Sequence, residues 1–157
     1  MYEIERKFLI DPNKVPVSLY DPINTEAFYI QLDPEIKFKK EIERFSEERM
    51  YSKITKTKTK NYIDTEIEII SEDDYYDNFP RLTGKPITYK TYVVELDNED
   101  QSWVFVVIHS NDLAIAEVYF ETNDEAGEFV IPEWFGEEIA GIEEYEDVSL
   151  AMGGELK

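Results

Sequence analysis

The chain has 157 residues, 36 of them acidic and 16 basic, for a formal net charge of -20, and it contains no cysteine. That length suits a single domain, 1–157, able to bury a core of its own. Disulfides and thiolate metal sites are excluded, and so acidic a surface repels nucleic acid and anionic membranes, so an anionic ligand needs a local basic site.

Tyr2 to Ile10 reads as an opening strand, stopped by the turn-forming Asp11-Pro12-Asn13. Charged Glu3, Glu5, Arg6 and Lys7 stand where a signal peptide would be apolar. Pro16 to Asn24 reads as loop, or a short helix followed by loop. Strands are expected at Phe28 to Leu32, Glu35 to Phe45, Arg49 to Lys58 and Asn61 to Ile70. Ser71 to Leu82 is expected to be helical around Glu72 to Asn78. Two further strands, Ile87 to Leu96 and Ser102 to His109, flank the acidic turn Asp97-Asn98-Glu99-Asp100. Leu113 to Glu121 is the last expected strand. Asn123 to Phe129, capped by Asn123, and Glu133 to Ile139 read as short helices. The longest apolar runs, such as Trp103 to Ile108, are too short to span a bilayer, and an aromatic content of 14% argues against disorder. The expectation is a soluble, cytoplasmic protein.

Charge follows the period of a strand. Glu3, Glu5 and Lys7 share one face of the first strand. Glu35, Lys37, Lys39, Glu41 and Glu43 lie opposite Ile36, Phe38 and Ile42, and Asp64, Glu66 and Glu68 lie opposite Ile67 and Ile69. Alternation alone fits a solvated face as well as a polar lumen. The mixture of lysines on one strand and paired carboxylates on two others suits a metal with a polyphosphate.

Several stretches fall in a recognisable order. Glu3-Ile4-Glu5-Arg6-Lys7, continued by Phe8-Leu9-Ile10, resembles the ExExK opening of the CYTH, or triphosphate tunnel metalloenzyme, superfamily. Tyr29-Ile30-Gln31 resembles the strand preceding its first basic pair, Glu35-Ile36-Lys37-Phe38-Lys39 its E-V-R-V-R, and Tyr51 to Lys56 the strand ending in a lumen lysine. Thr65-Glu66-Ile67-Glu68 resembles the central E-x-E, and Ile87-Thr88-Tyr89-Lys90-Thr91 the K-T-R-Y strand. Trp103 to His109 and Leu113 to Glu117 resemble the W-x-x-D and A-E-V-E strands. Pro132-Glu133-Trp134-Phe135-Gly136, with Leu150-Ala151, resembles the closing P-x-W-L-G helix and its trailing N-L-A.

The resemblance implies a mainly β (α+β) fold: a closed, antiparallel, eight-stranded β-tunnel with a polar lumen and a few peripheral helices. It implies that Glu3, Glu5, Glu66, Glu68 and Glu117 hold Mg2+ or Mn2+, and that Lys7, Lys37, Lys39, Lys56 and Lys90 hold phosphate oxygens, with Glu3, Glu5 and Lys7 catalytic. Oxygen ligands suit such cations, and lysines suit phosphoryl transfer. The implied activity is hydrolysis of inorganic triphosphate or a small organic triphosphate. The partner would be that small molecule, with no nucleic acid or membrane, in a monomer or homodimer. The opening looks more like the triphosphatase branch than the class IV adenylyl cyclase branch.

The pattern is broken at three places. Val106 stands at the aspartate of W-x-x-D, Tyr119 at the second glutamate of A-E-V-E, and Tyr92 at the arginine of K-T-R-Y. Lys37 and Lys39 replace arginines and give up bidentate geometry. Phosphate binding is therefore better supported than fast hydrolysis, and a catalytically weak nucleotide- or polyphosphate-binding module is the second reading. An acidic interaction protein that mimics nucleic acid is the third. His109 reads as a solvated loop residue, and Trp103 and Trp134 as packing residues.

Overall fold

A computed structural model describes residues 4–15, 22–43, 46–59, 63–96 and 103–153. The sequence forms strands β1 (Ile4–Ile10), β2 (Ile23–Leu32), β3 (Glu35–Glu43), β4 (Arg49–Lys58) and β5 (Ile63–Ile70), then helix α1 (Glu72–Asn78). Strands β6 (Thr83–Glu95), β7 (Trp103–His109) and β8 (Ala114–Phe120) follow, then α2 (Asn123–Glu128), β9 (Phe135–Glu138) and α3 (Asp147–Ala151). The acidic turn at 97–100 and the first residues of the expected opening strand lie outside the described residues.

The strands form one sheet in the order β5-β4-β3-β2-β6-β7-β8-β1-β9, nine described strands rather than the expected eight. The order has ends, at β5 and β9. The ninth strand corrects the helix expected over Glu133 to Ile139. Phe135 packs on Phe8 at a centroid distance of 4.8 Å, and a Cβ at Gly136 would lie 2.7 Å from the Leu9 carbonyl oxygen. Such close backbone contact fits a strand laid against β1, with Phe135 opposite Ile10 and Glu138 opposite Phe8. No helix among the described residues is long and apolar enough to cross a membrane.

The chain divides into two compact units, and the division falls within β6. The first, residues 1–23 and 89–142, holds β1, the end of β6, β7, β8, α2 and β9. Its core lies on one sheet face, where Phe8, Val104, Val106, Val118 and Phe135 are buried together. Arg6 fastens the periphery to that face. Its guanidinium donates to both carboxylate oxygens of Glu138, at 2.7 and 2.8 Å, and to the Ala126 carbonyl at 2.8 Å. This fork holds the Glu138 carboxyl below its usual range and raises Arg6. Helix α2 is capped by Thr122, one residue before the expected Asn123, whose hydroxyl accepts from the Glu125 amide at 3.1 Å.

The second unit, residues 24–88 and 143–157, holds β2 to β5, α1, the start of β6, and α3. Helix α1 is capped by Ser71, which accepts from the Asp74 amide at 3.1 Å, and its first turn carries Glu72, Asp73 and Asp74, favourable to the helix dipole. It docks through Tyr75, which is fully buried against Phe28 and donates its hydroxyl to Glu26 Oε1 at 2.8 Å. Burial and that carboxylate push the Tyr75 phenol far above its ordinary value. Gly84, at a φ of 71°, lets β6 start beneath Ala151 and Met152, where any Cβ would collide.

Candidate functional site

Each unit carries one polar sheet face. In the first, the antiparallel register sets Lys7 opposite Glu117 and Glu5 opposite Tyr119, with Phe105 beside Glu117 on the neighbouring strand. A period of two puts all of these on the face away from the Phe8–Val106 core. Lys7 Nζ lies 3.6 Å from Glu5 Oε1 and 3.8 Å from Glu117 Oε1. Tyr119 donates its hydroxyl to Glu117 Oε2 at 3.0 Å, and its ring meets Phe105 edge-on at 5.8 Å. Lys7 and Glu117 are about four-fifths covered, with side-chain exposures of 23% and 20%, so both charges are partly desolvated. Glu3 lies outside the described residues.

Lys90 is not brought to this group. It pairs with Ile108 and shares the core-side face with Tyr92 and Val94, where it points to solvent. Val106 is fully buried in the apolar cluster, opposite Ala116, and Tyr92 pairs with Val106 and packs on that cluster. Of the three departures, Tyr119 alone stands on the polar face. His109 corrects the expectation of a solvated loop residue: it ends β7, is 5% exposed, and lies 5.2 Å from the Tyr89 ring. Trp134 packs on Phe135 as expected, whereas Trp103 is 44% exposed.

In the second unit, the pairing of β3 with β4 aligns Glu35 with Lys56, Lys37 with Ile54, and Lys39 with Ser52. Lys37, Lys39 and Lys56 therefore share one face, opposite the Phe38–Tyr51–Tyr75 core. Lys37 Nζ lies 3.5 Å from Asp147 Oδ2 and 5.9 Å from the Tyr29 ring centroid. Lys39 Nζ lies 3.3 Å from Glu41 Oε1. Glu66 and Glu68 are not brought to these lysines. The β4–β5 register sets Thr65 opposite Lys56 and Ile67 opposite Ile54, which turns Glu66 and Glu68 to the other face, beside Thr55 and Lys53. A shift of one residue would have reversed this.

Sequence reasoning did not foresee two contacts on these faces, Asp147 beside Lys37 and Tyr119 on Glu117. Asp147 was hidden in a short helix of five residues that carries no periodic signal. Tyr119 was read as a lost glutamate, although its spacing of two from Glu117 already placed both on one face.

On the first unit's polar face, Glu5 and Glu117 are the carboxylates beside Lys7 that could take a divalent cation. Among the described residues no group of three or more acidic or histidine side chains converges on one point. Mg2+ needs no such cage: it keeps several waters and takes one or two carboxylates plus substrate phosphates. Glu5 and Glu117 meet that requirement. They flank one ammonium, the position at which a cation would compete with Lys7.

No family model matches the sequence, and neither does any curated protein. Solved structures do match. The chain is similar to a crystal structure titled as the inorganic triphosphatase NE1496, with a TM-score of 0.70 and 22% identity over 97% of this chain and 95% of that one. A second structure, titled as the hypothetical protein NE1496, gives 0.69 and 22% over 96% and 98%. The PH1819 protein from Pyrococcus horikoshii OT3 gives 0.52 and 15% over 81% and 83%. At 15–22% identity these neighbours show a shared fold.

Proposed function

We propose that the chain is a divalent-metal-dependent triphosphatase acting on inorganic triphosphate or a small organic triphosphate. The observation that carries this reading is Lys7 held between Glu5 and Glu117 on one strand face. Glu5 and Glu117, with Glu3 from the same motif, would hold Mg2+ or Mn2+, which when bound would supply charge neutralisation and align the phosphates. Lys7 would then exchange carboxylate partners for phosphate oxygens. On the second unit's own polar face, Lys37, Lys39 and Lys56 would bind phosphate as point charges, displacing Asp147 and Glu41 from the first two. Lys90, Glu66 and Glu68 have no part in it.

Phosphate release from inorganic triphosphate, ATP and pyrophosphate, each with Mg2+, Mn2+ or EDTA, tests the reading. Metal-dependent release from a triphosphate with none from pyrophosphate is expected. Equal release with EDTA would overturn it. The tyrosine at position 119 favours one second reading, a binding module with slow turnover, which the same assay separates: tight triphosphate binding without phosphate release.

A further inference from the structure

Strand β5 stands at one end of the sheet, and among the described residues it pairs with β4 alone, from Ile70 opposite Tyr51 to Ile63 opposite Lys58. Its residues from Ile63 to Ile69 are all exposed. The two faces differ in chemistry. Ile63, Ile67 and Ile69 lie on one, at 53%, 67% and 67% exposure, and Asp64, Glu66 and Glu68 lie on the other. Edge strands are usually blunted by charged side chains, by proline, a bulge or a covering element. β5 contains no proline, its register runs without a shift, and its only charges, Asp64, Glu66 and Glu68, guard it against acidic strands and not against basic ones. A straight edge with an apolar row on one face is a template for a further strand.

We propose that β5 docks an extended segment of another protein as an added strand, a segment that alternates basic and apolar residues. Charge selects this occupant over a second copy of the chain. Antiparallel pairing of β5 with β5 about Glu66 would set Glu66 against Glu66 and Asp64 against Glu68, and directly opposed like charges are destabilising. Two molecules that each carry -20 also repel at long range. A segment with lysine or arginine at alternate positions pairs instead with Asp64, Glu66 and Glu68, as Lys53 of β4 already does opposite Glu68. Its apolar residues then lie beside Ile67 and Ile69 and cover them. The proposal rests on the edge and its two faces, independently of the triphosphatase reading.

The test titrates the full isotopically labelled chain with a blocked peptide of alternating lysine and valine, about as long as β5. Two controls accompany it: a peptide of the same composition with its lysines and valines in separate blocks, and one alternating glutamate and valine. Amide shifts centred on β5 are expected, with new hydrogen-exchange protection along it. The block peptide should bind roughly tenfold more weakly, since it keeps the charge and loses the alternation. Asp64→Lys with Glu66→Lys and Glu68→Lys should invert the preference toward the glutamate peptide. The milder Glu66→Gln with Glu68→Gln, which keeps the strand's shape, should weaken the lysine peptide by roughly threefold. Equal binding of both lysine peptides, shifts centred elsewhere, or full protection of every β5 amide before peptide is added would overturn the proposal. So would a dimer in sedimentation that the charge reversal dissolves.

Discussion

The Tyr119 hydroxyl donates a 3.0 Å hydrogen bond to Glu117 Oε2, while the other oxygen of that carboxylate faces Lys7 at 3.8 Å. A residue at the place of an acid thus orients the acid that remains. Tyr119→Phe keeps the ring against Phe105 and removes only the donor. Thermal stability should change little, and Mn2+ affinity should fall roughly fivefold as the carboxylate loses its orientation. Tyr119→Glu adds a second carboxylate on the same face and should raise Mn2+ affinity instead. Calorimetric titration of both variants checks this, and identical affinities would show that the hydroxyl plays no part.

Placing an aspartate at position 106 should not raise activity. Val106 is wholly buried in the apolar face, opposite Ala116, so Val106→Asp places a carboxyl among Phe8, Val104 and Val118. The cost should be roughly 3 kcal/mol or more. Thermal melts followed by circular dichroism should show the loss. A variant that melts like the parent and binds additional Mn2+ would contradict the register.

The lysines should divide by face. Lys37→Gln with Lys39→Gln should raise KM for triphosphate on the order of a hundredfold, since each removes a charge-assisted contact. Lys90→Gln, on the core-side face and exposed, should change it by less than about twofold. Steady-state kinetics on the three proteins decides whether the strand face or the motif position governs phosphate contact.

Acid should loosen the first unit through Glu138. Arg6 holds this carboxyl below its usual range, so its contribution is present above the unfolded value, about pH 4.3, and is lost as pH falls through the lower folded value. Glu138→Gln should cost about 0.5 kcal/mol at neutral pH, given that the side chain is 41% exposed. The difference from the parent should vanish once pH falls below the folded value. Urea melts across that range measure it, and a gap that widens in acid would reverse the assignment.

Much of the fold was legible because alternation and capping are local. β4 and α1 begin and end where the pattern places them, at Arg49–Lys58 and Glu72–Asn78. β6 starts at Thr83, ahead of the expected Ile87, where Gly84 at positive φ admits Ala151 and Met152, contacts distant in sequence. β9 and α3 were illegible at four and five residues, since their conformation is imposed by what they pack on. The sequence shows that Glu66 and Glu68 share a face, but which face depends on pairing with β4, a long-range choice that residues on β5 do not encode. The same limit hid the placement of Lys90 and Val106. Glu5, Lys7 and Glu117 were legible individually, and their approach required the register of β1 on β8.

The most direct measurement of the central claim is Mn2+ titration of the parent and of Glu5→Gln with Glu117→Gln, read by calorimetry alongside phosphate release from inorganic triphosphate. Removing both carboxylates from beside Lys7 should abolish metal-dependent release and weaken Mn2+ binding by a hundredfold or so, while the fold persists because both side chains lie on the polar face. A double variant that folds, binds Mn2+ as the parent does and releases phosphate at the parent rate would contradict the assignment.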